Sequence, residues 1–227
     1  PLVTGKAFPE DEAVFTAAMG RRSDGTDSIQ GKFVYEQRFG PRNMWEVVFP
    51  FGWSERIANP TLPSAVSWAS SLGDAAVAVK RVFHHDLAGG SILSGAAELI
   101  LPTGDRDSGF GKGTFIFEPF LVYGQILPAD FFLQAQAGLE LPFERDKANN
   151  EAFVRLALGR SFSFKPWGRT WSPMVEVLAA KEFVSGEKVL LDLVPQVQVT
   201  LNKRQHIMFN VGVRLPLTQT SGRNVTV

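Results

Sequence analysis

The clearest pattern in the chain runs from Val189 to Asn202, where Val189, Leu191, Leu193, Pro195, Val197, Val199 and Leu201 are apolar and Asp192, Gln196, Gln198, Thr200 and Asn202 lie between them. A period of two places one set of side chains on each face of a β-strand. The run is 14 residues long, well beyond the usual strand of about five or six. Two opposed environments therefore persist along a tall wall, and a tilted strand of about 9–11 residues is what a bilayer requires. Pro195 has no N–H to donate, which predicts a bulge or imperfect pairing at that point.

The same alternation predicts strands over Ala13–Met19, Ile29–Phe39, Met44–Trp53, Gly73–His85, Ser91–Leu101, Thr114–Gln125, Phe131–Leu141, Ala152–Phe164, Trp171–Phe183 and His206–Leu215. Residues 1–12 read as a polar, proline-bearing lead-in, and 13–227 as one domain. Ser54–Leu72 is a long connection with a short helical turn expected near Ser64–Ser70. Short turns (GPRN, DLAGG, ILPAD, KPWGRT, NKRQ) alternate with mostly longer loops, and only VSGE departs from the rule. In an up-and-down barrel this gathers the short turns at one rim. Leu101-Pro102, Leu141-Pro142 and Leu215-Pro216 then fall together at the other rim, each ending a ladder where the chain leaves the wall. With Asn224–Val227 as the beginning of another strand, the count is about twelve. The sequence is read as a mature or trimmed product that stops inside its last strand.

Charge and composition narrow the classes. Lys plus Arg and Asp plus Glu are 23 each, so no basic field favours nucleic acid. Cysteine is absent, which removes disulfides, thiolate metal sites and covalent c-type haem attachment. There is no run of about 18 apolar residues, which excludes a helical span and leaves a β-barrel span open. Nineteen Phe and five Trp suit a lipid-facing surface as well as a core. Trp45, Trp53, Trp167 and Trp171 sit near strand ends, where an interfacial girdle would lie.

If the apolar faces meet lipid, the inner face carries Lys32, Glu36, Arg38, Glu46, Lys80, Glu98, Glu118, Glu140, Arg155, Glu176, Asp192 and Arg214. Ionisable groups in mid-strand are costly in a dry sandwich core. They fit a polar, mildly cation-favouring passage, or a network of ion pairs that plugs the barrel; both readings stay open. Catalytic signals are weak. His84 and His85 are adjacent on a strand and point to opposite faces, which suits rim anchoring better than joint metal ligation. Asp105 and Asp107 in GDRDSG lack the later bidentate Glu of an EF-hand, and GFGKG lacks the phosphate-loop pattern.

The stretches GDAAVAVKRVF, AAELILPTGD, FEPFLVYGQILPADFFLQAQAGLELP, NNEAF, GRTWSPMVEV and VPQVQVTLNKRQHIMFNVGVRLP resemble a transporter-like family of bacterial outer-membrane β-barrels labelled for the MetA-pathway of phenol degradation. The resemblance covers Leu72 to Pro216. It implies a Gram-negative outer-membrane barrel with a transport role, and it supplies no catalytic residues. Members continue to an aromatic-rich terminal strand, which is not found by Val227.

The expected fold is thus an all-β, antiparallel up-and-down transmembrane β-barrel. The expected function is a channel for passive passage of small, hydrophobic or aromatic molecules, without enzymatic activity or cofactor. Its expected partners are membrane lipid and the small-molecule permeant, not nucleic acid, with a protein partner in the membrane or periplasm left open. Two alternatives stand beside it: an occluded barrel sheathing a partner such as an electron-transfer protein, and a soluble β-barrel that binds ligands.

Overall fold

A computed structural model describes residues 1–21, 25–57, 66–164, 169–201, 207–218 and 226–227. Its strands are β1 (Glu12–Arg21), β2 (Asp27–Arg38), β3 (Asn43–Ile57), β4 (Val66–Leu72), β5 (Ala76–Asp86), β6 (Ser91–Ile100), β7 (Ile116–Ile126), β8 (Phe131–Pro142), β9 (Glu151–Arg160), β10 (Phe162–Phe164), β11 (Arg169–Glu182), β12 (Leu190–Thr200), β13 (Met208–Gly212) and β14 (Leu215–Pro216). One antiparallel sheet contains all of them. Eleven strands follow one another as neighbours in the order β1-β2-β3-β5-β6-β7-β8-β9-β11-β12-β13, with β4, β10 and β14 attached to β3, β11 and β12. The architecture is the expected up-and-down barrel wall.

The two ends of this wall meet at the long-loop rim. Thr226 bridges both Gly20 of β1 and Arg214 beyond β13, and Met19 and Val227 exchange two backbone hydrogen bonds at 2.7 and 2.8 Å. Below that point β1 and β13 do not pair with each other.

Proline sets the interruptions in the ladders. β12 pairs with β13 from Gln196↔Gly212 onward and with β14 at Leu193↔Leu215, and the gap between them lies at Val194 and Pro195. The missing Pro195 N–H is the reason, and its carbonyl still accepts from Val213 at 3.1 Å. Pro119 interrupts the β7–β8 ladder in the same way, between Phe117↔Leu141 and Phe120↔Gly138.

Side-chain parity is kept along the wall except past Val82 in β5, where the register shifts by one residue. Phe15 is 68% exposed, Val79 52% and Leu158 50%, whereas Val122 and Ala157 on the opposite face are fully buried. The outward set is a broad aromatic and aliphatic belt, far beyond the scattered apolar residues normal on a water-facing surface. It is the wall of a transmembrane barrel, with the polar set enclosed.

Some expectations need correction. The long strand spans Leu190–Thr200, 11 residues rather than 14, because Val189 lies outside the ladder and the wall ends at Thr200. β3 runs on to Ile57 and Val66–Leu72 is a strand paired with it, so no helical turn forms over Val66–Ser70; residues 64–65 lie outside those described. A strand satisfies its backbone on β3 and places Trp68 and Ser70 opposite Glu55 and Trp53. Ala152–Phe164 divides at Ser161 into β9 and β10, and His206 and Trp167 lie outside the described residues.

Candidate functional site

The lead-in does not lie outside the wall. Residues Pro1–Asp11 run through the barrel interior from mid-height to the short-turn rim, where they enter β1. None of them makes a backbone–backbone hydrogen bond among the described residues. Their backbone instead meets side chains that point inward from the wall. The Glu176 carboxylate accepts from Leu2 N–H at 2.8 Å, Val3 N–H at 3.1 Å and Thr4 N–H at 2.5 Å, and it also accepts from Gln196 Nε2. Gln136 Oε1 accepts from Gly5 N–H at 2.9 Å, Ser94 Oγ donates to the Ala7 carbonyl, and Glu10 N–H meets Met44 Sδ at 3.3 Å. Thr4 and Ala7 are buried.

This strap fits because the wall leaves room for it. A Cβ on Gly124 would stand 3.3 Å from the Ala7 Cβ, and one on Gly212 would stand 2.9 Å from Leu2 Cδ1. Both glycines lie on the inner face. At the rim the strap is anchored by ions: Lys6 Nζ lies 2.6 Å from Glu10 and 2.5 Å from Glu12, and Asp11 accepts from the Arg38 backbone N–H at 2.8 Å and its Nε at 2.7 Å. Those bonds from the Arg38 backbone and side chain hold the Asp11 carboxyl below its ordinary range.

Beside the strap lies a cavity of about 840 Å³. Seven of the twelve residues singled out from the sequence line it: Lys32, Glu36, Glu46, Lys80, Glu98, Glu118 and Arg155. The acidic ones share one cross-strand row. Glu12 pairs with Glu36, Glu36 with Glu46, Glu46 with Ala78, Ala78 with Glu98, and Glu98 with Glu118. Beyond the Pro119 interruption the row continues as Glu140↔Glu151 and Glu151↔Glu182. Because Glu12 begins β1 at the short-turn rim and Glu182 ends β11 at the long-loop rim, the row climbs the inner wall from one rim to the other. Directly opposed like charges repel, so such a row is costly without water or counter-charge. Glu118 and Lys80 are 7% and 5% exposed, and neither has a hydrogen-bond or ion-pair partner among the described residues.

The other predicted positions have separate surroundings. Glu176 is fully buried beneath the strap. Asp192 accepts from Arg214 Nε at 2.7 Å, with Nη2 at 2.5 Å. Arg38 stands at the short-turn rim with Asp11, and Glu140 faces inward beside Glu151. Arg155 reaches Gln136 Oε1 at 3.4 Å and lies 4.2 Å from the centroid of the Phe153 ring. Among the described residues it is the strap, and not a dense ion-pair network, that fills the interior.

The sequence reading missed the strap, Gln136, Ser94 and the Glu151 and Glu182 continuation of the row. Only parity could have found the side chains, since all four lie on inward positions. Of the weaker candidates, Asp105 accepts from Ser108 N–H at 3.1 Å and is used within its own turn. Asp74 accepts from Gly104 and Lys112 N–H at 2.8 and 2.7 Å, which gives the glycine-rich loop a structural role. Three carboxylates, Glu10, Glu12 and Glu36, come within 4.8 Å of one another, and Lys6 supplies their counter-charge.

No curated protein matches the sequence. Among solved structures, the β domain of the Bordetella autotransporter BrkA is similar with a TM-score of 0.54 and 14% identity, covering 96% of each chain. That likeness is one of fold, and it is to an outer-membrane β-barrel. A family model matches residues 26–222, most of the wall described above. The chain belongs to the family described as "Putative MetA-pathway of phenol degradation".

Proposed function

We propose that the protein resides in the bacterial outer membrane and passes small molecules through an interior whose free cross-section is set by the Pro1–Asp11 strap. The observation that carries this reading is the strap itself, held by inward side chains rather than by strand pairing, beside a charged cavity of about 840 Å³. A segment bonded only through side chains can leave the interior without breaking the wall. The apolar outer belt supports the membrane location, and the family's description supports a link to aromatic catabolism. The glutamate row supports a preference for cationic over anionic solutes.

The sheath reading gains nothing from this geometry. A protein threaded through the barrel would have to displace the strap and its hydrogen bonds to Glu176 and Gln136. A catalytic reading also lacks support, since His84 and His85 stand at the short-turn rim on opposite faces.

The test is conductance in planar lipid bilayers, with folding monitored by the heat-modifiable gel shift. Small current steps from the wild type that enlarge in Glu176→Gln support a strapped passage. A folded barrel that carries no current in either form overturns it.

A further inference from the structure

A second cavity, of about 650 Å³, opens at the short-turn rim between the strap and the wall. Phe8 and Pro9 of the strap form one side, and Val82, Ile92 and Phe132 of the wall form much of the other. Its size falls within the range of about 300–1,000 Å³ usual for small-molecule sites, and its lining is mainly apolar, as such sites require.

Arg42 and Asp86, one charge of each sign, stand in its lining, and two local features add further polar groups. β5 has a one-residue bulge between Val82↔Ser94 and His84↔Leu93, with Phe83 as the extra residue. A bulge reverses the parity of the residues after it, so His85, opposite Ile92, turns to the inner face and lines the cavity. Without it, position 85 would share the outer face with Val77 and Val79. Gln134 of β8 also lines the cavity, and its Oε1 is buried without a hydrogen-bond partner among the described residues. Buried acceptors are nearly always paired, and an orphan calls for a donor. Neighbouring Gln125 offers nothing further: its Oε1 accepts from Tyr123 Oη at 2.5 Å and its Nε2 donates to the Gly89 and Ile126 carbonyls.

We propose that this rim cavity binds a small neutral molecule with an apolar or aromatic skeleton and one hydroxyl or N–H donor, the donor going to Gln134 Oε1 and the skeleton lying between Phe8 and Phe132. Because Phe8 and Pro9 belong to the strap, a bound molecule contacts the segment that obstructs the interior. The site is thereby the mouth of the passage proposed above, and its role there rests on that reading, although binding itself does not.

The test is titration of the folded, detergent-solubilised full chain with 1-naphthol and with 1-methoxynaphthalene, which lacks the donor, followed by isothermal calorimetry. The expected result is saturable binding of 1-naphthol that weakens about tenfold in Gln134→Leu, while the methoxy compound binds the wild type and the variant alike. Val82→Trp, which fills the cavity, and Phe8→Ala, which opens its strap side without touching the wall, should each weaken both compounds. Absence of saturable binding overturns the proposal, as does binding that Val82→Trp and Phe8→Ala leave unchanged, which would be partition into detergent. Conductance measured in parallel separates the two readings. Binding without current leaves the site standing and removes the passage; current without binding does the reverse.

Discussion

Glu176, midway along β11, accepts a 2.5 Å hydrogen bond from the backbone N–H of Thr4, 172 positions away in sequence. The same carboxylate holds Leu2 and Val3, so a single inward side chain secures the start of the strap. Hydrogen bonds to a charged acceptor are among the stronger ones, and an amide at this position removes the charge and turns one of the two acceptor oxygens into a donor facing the strap N–H groups, at about 1–3 kcal/mol for a buried donor left unpaired such as that of Thr4. Glu176→Gln should therefore loosen the strap and leave the wall intact. Limited proteolysis should cleave within residues 1–11 about tenfold faster than in the wild type, with an unchanged heat-modifiable band. Equal cleavage rates would show that the clasp does not hold the segment.

Gly124 makes room for Ala7 at 3.3 Å from where its Cβ would be, with Ile92 Cγ2 at 3.1 Å on the other side. Gly124→Leu should push the strap off the wall at that height. The expected readout is a gain in single-channel conductance, together with loss of a cross-link engineered between Ala7→Cys and Ser94→Cys. Retention of that cross-link in the Gly124→Leu background would contradict the placement of the strap.

The facing of β12 can be tested by depth. Val197 looks outward and Gln198 lines the interior cavity. Val197→Arg should cost about 2–4 kcal/mol if it lies near the bilayer midplane, and Gln198→Arg should be tolerated. Urea titration of folding into lipid vesicles measures both, and equal costs would refute the facing. Gln196→Arg, which alternation alone would class with Gln198, is expected to be harmful because Gln196 is buried and bonded to both Glu176 and Asn210.

Glu118 is buried against the cavity without a partner among the described residues. Glu118→Gln should lower the cation-over-anion permeability ratio, read as a shift of the reversal potential in a salt gradient, and should leave stability unchanged or slightly raised. An unaltered ratio would remove the glutamate row from selectivity.

Asp11 has its carboxyl held below the ordinary value of 3.8 by the Arg38 backbone and guanidinium. A carboxyl depressed in the folded state contributes anchoring that is fully present above its ordinary value and lost as pH falls through the lowered one. The rim anchor should hold from neutral pH down to the region of 3.8 and release below it. Proteolysis of the strap by an acid-active protease should rise over that interval in the wild type, and Asp11→Asn, which removes the titrating group, should lose that rise. A rise centred near neutrality would place the switch in another group.

Much of the wall was legible beforehand because strand parity is a local property. Phe131–Leu141 and the run from Val189 to Leu201 alternate so consistently that their inner and outer faces follow from the backbone alone, and Pro195 announced the break in its own ladder. The interior was not legible in this way. Leu2–Thr4 carry no periodicity, and their place beside Glu176 depends on a hydrogen bond spanning most of the chain. The glutamate row depends on seven separate strand registers, and a shift of one residue in any of them would send its members to the other face.

His84 and His85 show the boundary between the two. The sequence by itself determined that adjacent residues on a strand point oppositely, since that follows from backbone geometry at each residue. Only the tertiary structure decided which of them faces inward, because the bulge at Phe83 exists only where β5 is paired with β6. The same holds for the chain as a whole: alternation specified a barrel wall, and non-local pairing decided what occupies the space within it.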